Sequence, residues 1–183
     1  VVFPQNIYAG VFLSNVEKPW GAVYNQVGGE EDFEYDLYLG YRFSAGPESA
    51  VTGDVGIIRY SFDPDPDELT WTEIYLGISG YGASAKLSQR VAGADQGTYI
   101  EARYTGSAGE LFDYSLHAGH FFLDIDLRET DAYSDFSLGV SKTIKGFKLD
   151  LTYFINDQDG EDRYLEVAED RFVLSLSKNF SLR

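Results

Sequence analysis

Ser115 and His117 stand two residues apart with Asp113 continuing the row, so an alternating strand would present all three on one face. A serine hydroxyl beside an imidazole is the arrangement that acyl transfer uses, the base drawing off the proton as the oxygen attacks. Spacing opposes it here, because side chains at i and i+2 on one strand sit about 6.5–7 Å apart, long for direct contact. A membrane acyl hydrolase on Ser115 and His117 therefore ranks behind a plain imidazole that titrates near neutrality on a polar face. No catalytic residue is assigned.

The charged residues offer other chemistry. By alternation Glu34, Asp36, Arg42, Asp54, Glu73, Lys86, Arg90, Glu101, Arg103, Asp113, His117, Lys148 and Asp150 share the polar faces of their strands. Mixed signs on one surface serve either a narrow passage that orients small polar solutes or an interior tied shut by ion pairs. The acidic runs Asp63-Pro64-Asp65-Pro66-Asp67-Glu68 and Asp157-Gln158-Asp159-Gly160-Glu161-Asp162 hold carboxylates in numbers that suit Ca²⁺ or Mg²⁺. Neither matches a twelve-residue calcium loop, so solvated loops are the simpler reading and no metal is assigned. Val27-Gly28-Gly29 lacks phosphate-loop spacing and reads as a turn. With no cysteine, thiolate metal sites, disulfides and cysteine nucleophiles fall away. No cofactor is expected.

The elements that must position these residues are strands. No window approaches the roughly 18 apolar residues of a spanning helix, while fourteen Tyr, thirteen Phe and nineteen Gly in 183 residues favour pleated surfaces and tight turns. The length suits one domain over residues 1–183. A net charge of −16 excludes nucleic acid as a partner, since phosphate binding requires clustered Lys and Arg. The chain opens at Val1 with no Met and no charged-then-apolar leader, so any export signal lies outside it.

Period-two alternation predicts ten strands, at 6–16, 33–44, 50–62, 70–80, 82–91, 97–106, 111–124, 134–144, 146–156 and 170–180, with no helical segment between them. From Phe33 to Phe43 one face carries Phe33, Tyr35, Leu37, Leu39, Tyr41 and Phe43, and the other Glu34, Asp36, Tyr38, Gly40 and Arg42. Arg59 and His120 break the pattern, falling in phase with apolar neighbours, and a bulge or a strand end would account for each. Long connections (17–32, 63–69, 92–96, 125–133, 157–169) alternate with short ones (45–49, 80–82, 107–110, 145–146). Twenty of the thirty acidic residues lie in or at the edges of the long set. Transmembrane up-and-down barrels show the same asymmetry, with short periplasmic turns and long external loops. Both termini then face the periplasm and the strand number is even.

Alternation alone fits a soluble barrel equally well, with the apolar face turned inward. Glycine separates the two readings. Gly10, Gly40, Gly56, Gly77, Gly119 and Gly139 all lie in the polar phase. On a free surface each would cost about 0.5–1 kcal/mol relative to Ala with nothing gained. In a narrow lumen each makes room for large side chains from facing strands. Aromatics at the ends of the apolar runs (Phe33, Tyr41, Phe43, Tyr104, Phe147, Tyr153, Phe172, Phe180) suit interfacial girdles.

The segments IYAGVFLSNV (7–16), FEYDLYLGY (33–41), VGIIRYSF (55–62), WTEIYLGIS (71–79), DFSLGVSKTIKGFKLDLTYF (135–154) and DRFVLSLSKNF (170–180) resemble the Gcw_chp family. These are proteobacterial outer-membrane barrels, conserved proteins of unassigned function. The resemblance covers nearly the whole chain and implies a fold and a location but no chemistry. Members of that family carry an opening hairpin with an Asp-Tyr-x-Phe-Arg-Gly-like strand before the segment matching Ile7–Val16, and nothing here matches it. The resemblance thus leaves ten strands or twelve open. Family chains also tend to end on Phe, whereas this one continues past Phe180 with Ser181, Leu182 and Arg183.

The expectation is an all-β, transmembrane, antiparallel up-and-down barrel in the bacterial outer membrane, among membrane lipid and lipopolysaccharide, whose phosphates divalent cations could bridge to the acidic rim. The leading function is a narrow, porin-like channel or binding barrel for small polar solutes. The alternative is a structural or interaction barrel whose acidic loops or outer wall bind a protein partner.

Overall fold

In the computed structural model the described residues are 6–16, 32–44, 46, 49–63, 70–93, 97–123, 132–164 and 168–179. The acidic stretches 17–31, 64–69, 94–96, 124–131 and 165–167, the glycine pair at 28–29, and Phe180 lie outside them.

Ten strands form one antiparallel sheet in sequence order, each paired with its neighbours in the chain. They are β1 (Ile7–Val16), β2 (Asp32–Ser44), β3 (Thr52–Asp63), β4 (Trp71–Gly80), β5 (Ala83–Gly93), β6 (Gly97–Ser107), β7 (Asp113–Leu123), β8 (Tyr133–Ile144), β9 (Phe147–Asn156) and β10 (Arg171–Ser177). The predicted strands match these in number and order. Closure differs: among the described residues β1 and β10 each pair on one side only, so the sheet is curled but open.

Two other departures have local causes. The connection between β5 and β6 spans only 94–96, shorter than the 108–112 link at the opposite end. The long/short alternation fails at that hairpin because β5 runs on through Ala92 and Gly93, past the bulge at Val91, while β6 begins at Gly97 as predicted. The link after β9 contains a short helix, α1 (Gln158–Tyr164). Asp157 caps it: Gly160 N–H donates to Asp157 Oδ1 at 3.0 Å, Ser134 N–H to Oδ2 at 2.7 Å, and Glu161 N–H to the Asp157 carbonyl at 3.0 Å. The first carboxylate of that acidic run is therefore spent on the backbone. The tight turns are conventional, with left-handed pairs Tyr81–Gly82 (φ 54° and 80°) and Lys145–Gly146 (φ 52° and 81°) in two-residue hairpins.

Curl direction follows from reach. On the face carrying the charges, side chains meet across intervening strands: Tyr8 of β1 contacts Asp54 of β3 and Tyr75 of β4, and Tyr99 of β6 contacts Asp135 of β8. That face is concave. The other is convex and apolar, with Leu37 53 %, Leu76 55 % and Leu138 53 % exposed. Conversely, buried residues include Asp36 (5 % exposed), Glu101 (8 %), Ser88 and Ser141.

Reading across the pairs, Tyr8, Gly40, Gly56, Tyr75, Ser88, Tyr99, Phe121 and Tyr133 form one concave row from β1 to β8. Tyrosine rings lie over glycines of the adjoining strand: Tyr38 over Gly10, Tyr8 over Gly40, Tyr75 over Gly56, and diagonally Tyr99 over Gly119. The expectation that these glycines admit side chains from facing strands is corrected, since the occupant is the immediate neighbour. Gly139 instead faces Ser115 and Thr152, and Gly77 faces Asp54 and the Ala85 carbonyl. A Cβ at Gly56 would land inside the Tyr75 ring and also meet the Leu39 carbonyl at 2.6 Å. Gly56→Ala should therefore cost about 1–3 kcal/mol in urea unfolding of the folded protein. Gly46→Ala, whose nearest neighbour is Ser49 Cβ at 3.9 Å, should leave the midpoint unchanged.

Candidate functional site

The concave face gains its charges from strand phase alone. Arg42, Asp54, Gly77, Lys86, Glu101, Gly119, Asp135 and Asn156 follow one another across β2 to β9, a charged row beside the tyrosine row. The adjoining row is rich in hydroxyls: Ser44, Thr52, Ser79, Ser84, Arg103, His117 and Ser137. Every sequence-predicted site residue lies in the phase of these rows, but they do not form one cluster.

Four groups result. Near the short turns, Tyr8 Oη donates to Asp54 Oδ1 at 2.6 Å and Arg42 Nε to Asp54 Oδ2 at 3.1 Å, with the guanidinium 4.5 Å over the Tyr8 ring. Toward the long connections, Arg90 Nε reaches Glu73 Oε1 at 3.3 Å while Trp71 Nε1 donates to the same oxygen at 2.9 Å. The Arg90 guanidinium lies 4.4 Å from the Trp71 ring and 4.8 Å from Phe121, joining the stack Tyr60–Trp71 (4.8 Å) to Phe121–Tyr133 (5.4 Å). Around Glu101, Lys86 Nζ approaches Oε1 at 3.0 Å and Arg103 donates from Nε and Nη2 to Oε2 at 3.0 and 2.9 Å. On β9, Thr152 donates to Asp150 Oδ1 at 2.7 Å and Lys148 Nζ lies 3.9 Å from Oδ2.

His117 belongs to the third group. Its Nε2 is 2.6 Å from Asp135 Oδ1 and 3.2 Å from Tyr99 Oη, and Tyr99 Oη donates to Asp135 Oδ2 at 2.8 Å. Its Nδ1 is buried, without a hydrogen bond among the described residues, 3.6 Å from Glu101 Oε2. The expected Ser115–His117 row is thus a shared face without contact. Asp135, which alternation places in the polar phase, is the partner that sequence reasoning missed, and Asp113 accepts from Ser107 Oγ at 2.5 Å. Glu34 lies on the same face, and Asp36 is buried with Oδ1 unpaired among the described residues.

The two outliers sit near the ends of their strands toward the long connections. Arg59 pairs with Thr72, beside the bulge where β5 slips from Ala92 to Arg90. His120 Nδ1 lies 2.9 Å from Ser134 Oγ, its ring edge-on to Phe122. The convex wall carries aromatics at both ends, with Tyr41, Phe43, Tyr104 and Phe147 toward the short turns and Phe33 and Phe172 toward the long connections, all exposed.

A cavity of about 570 Å³ opens on the concave face between Tyr60 of β3 and Asn156 of β9, lined by Trp71, Lys86, Arg90, Glu101, Arg103 and His117 among others. Its size falls in the range of small-molecule sites, roughly 300–1,000 Å³. A family model described as a bacterial protein of unknown function, Gcw_chp, matches residues 1–180. The chain belongs to the Gcw_chp family. No curated protein and no solved structure matches it. For this Gcw_chp chain, then, the site is read from its own geometry.

Two outcomes follow. Partial burial pushes the Asp157 carboxyl up, but the N–H groups of Gly160 and Ser134 that donate to it, with the nearby His120, outweigh this and hold it below the ordinary value. A depressed folded-state value means the cap's stabilisation is complete above about pH 4 and is lost as pH falls through the folded value. Amide exchange in 158–162 should accelerate there in the wild type and be fast at every pH in Asp157→Ala. The Arg90–Glu73 pair, both side chains largely buried (16 % and 13 % exposed), should show the cost of orphaning one charge. Arg90→Leu alone should lose about 3 kcal/mol, and Arg90→Leu with Glu73→Gln distinctly less than the sum of the singles.

Proposed function

We propose that this chain is a bacterial outer-membrane β-barrel whose concave face lines a narrow passage or binding lumen for small polar solutes. One observation carries the reading: apolar side chains of ten strands point outward and stay exposed, while carboxylates, hydroxyls and tyrosines are buried on the other side. In water that arrangement would leave the sheet without a hydrophobic driving force; in lipid the convex wall meets hydrocarbon and the polar face meets water or itself. The aromatics at both ends of that wall fit the two interfaces. The free edges of β1 and β10 must then be satisfied, by pairing with each other or through further strands.

A second reading, a closed structural barrel, draws support from the same concave face. Ion pairs and stacked rings satisfy much of it without a ligand, and the acidic connections would supply the contact with a partner.

Charge placement on the convex wall separates lipid from water. Leu37→Arg and Leu149→Arg should each cost about 2–4 kcal/mol of folding stability in lipid vesicles, near the bilayer midplane. In a water-exposed wall the same changes would be close to neutral. Stable unit conductance of the folded protein in planar bilayers supports the passage. A folded, heat-modifiable protein that inserts but gives no conductance favours the closed barrel.

A further inference from the structure

Among the described residues of the concave face, Asp54, Glu73, Asp135 and Asp150 each face one basic side chain, Arg42, Arg90, His117 and Lys148 respectively. Glu101 is different. It receives Lys86 on one oxygen and Arg103 on the other. Its side chain is 9 % exposed while those of Lys86 and Arg103 are 42 % and 58 % exposed. The one negative charge is therefore sunk into the wall and the two positive charges stand in the open cavity.

Among the described residues no second carboxylate pairs with Lys86 or Arg103. Asp135, the next carboxylate, is already engaged by His117 and Tyr99. His117 Nδ1, buried and without a hydrogen bond among the described residues, faces Glu101 itself at 3.6 Å and brings no second carboxylate to the two cations. Among the described residues Arg103 uses Nε and Nη2 on Glu101, leaving its Nη1 donors uncommitted, and Lys86 has one carboxylate contact for three donors, with the Tyr75 ring 5.8 Å away. A planar guanidinium edge beside an ammonium, both on one wall of a partly enclosed cavity, suits an oxyanion.

We propose that Lys86 and Arg103, held apart by Glu101, form a binding site for a small oxyanion, a phosphate or carboxylate group, in the concave cavity. The proposal rests on the solute-binding reading above and names its solute class: small anions, or polar solutes that carry one such group. Glu101 acts as a positioning residue that orients both cations and limits their affinity, so that a bound anion can leave again.

The test is equilibrium binding by calorimetry on the full chain folded in detergent micelles, with sodium phosphate and sodium acetate as separate titrants at pH 7. Saturable binding of either supports the site, and the preferred titrant shows which oxyanion it favours. Lys86→Gln and Arg103→Gln should each weaken binding about tenfold or more, as loss of a charge-assisted contact does. Glu101→Gln should strengthen it, because the amide keeps an acceptor for Arg103 while removing the competing charge. A merely structural ion cluster would lose stability in all three variants and gain affinity in none. Absence of saturable binding of both titrants to the folded wild type overturns the proposal, as does affinity unchanged in both cation variants. Because binding in micelles needs neither a bilayer nor conduction, a negative result here is distinct from failure of the conductance and lipid-stability measurements.

Discussion

Hydrogen-bond register between neighbouring strands is the constraint on which every other feature depends. Side chains alternate with period two, so a slip of one residue at any pairing would turn a charged row outward and an apolar row inward. Tyrosine over glycine is the local device that resists the slip. Between β1 and β2 the interlock is reciprocal, Tyr38 seated on Gly10 and Tyr8 on Gly40, so displacement along the strand would drive each ring into a neighbour's side chain. Tyr75 on Gly56 repeats it one hairpin further on, and the Tyr8 and Tyr75 hydroxyls, 2.5 Å apart, tie the two interlocks together over β2 and β3. Glycine in the polar phase thus has a packing role that compensates for its poor intrinsic preference for strands.

Most of the architecture was legible because strand phase is written directly in residue type. Phe33 to Phe43 alternates cleanly enough to place both its faces, and the two-residue hairpins announce themselves at Tyr81–Gly82 and Lys145–Gly146. What escaped depends on contacts between strands rather than along them. Asp135 reads as one more polar-phase residue until β6, β7 and β8 bring it against His117 and Tyr99. Arg90 reads as half of an ion pair, whereas its flat guanidinium also bridges the rings of β4 and β7. The helix after Asn156 was hidden because Gln158–Tyr164 is too short and too polar to show an apolar period, and its start is set by a side-chain cap at Asp157. Residues 92 and 93 read as part of a long connection because the bulge near Val91 breaks alternation before the strand ends.

The charges of this chain are sorted by depth as well as by sign. Acidic residues dominate the long connections, and lysines 142, 145, 148 and 178 gather at or beside the short-turn end of β8 to β10. Within the sheet the order changes: carboxylates of Asp54, Glu73, Glu101 and Asp150 lie against the wall, and in three of those pairs the cation is the more exposed partner by a wide margin. Water in the concave cavity therefore faces guanidinium and ammonium groups although the chain carries a net −16. The cause is side-chain length. A short carboxylate on a strand stays near the backbone, whereas Lys and Arg reach past it and keep their charged ends in water while their stems pack on the wall. In formal charge the cavity lining is balanced, Lys86, Arg90 and Arg103 against Glu73, Glu101 and Asp135, so the separation there is one of depth rather than of sign. Coulomb interactions between exposed charges fade over a Debye length of about 8–10 Å, so the depth at which a charge sits, rather than the total, decides which group a molecule in such a cavity meets first.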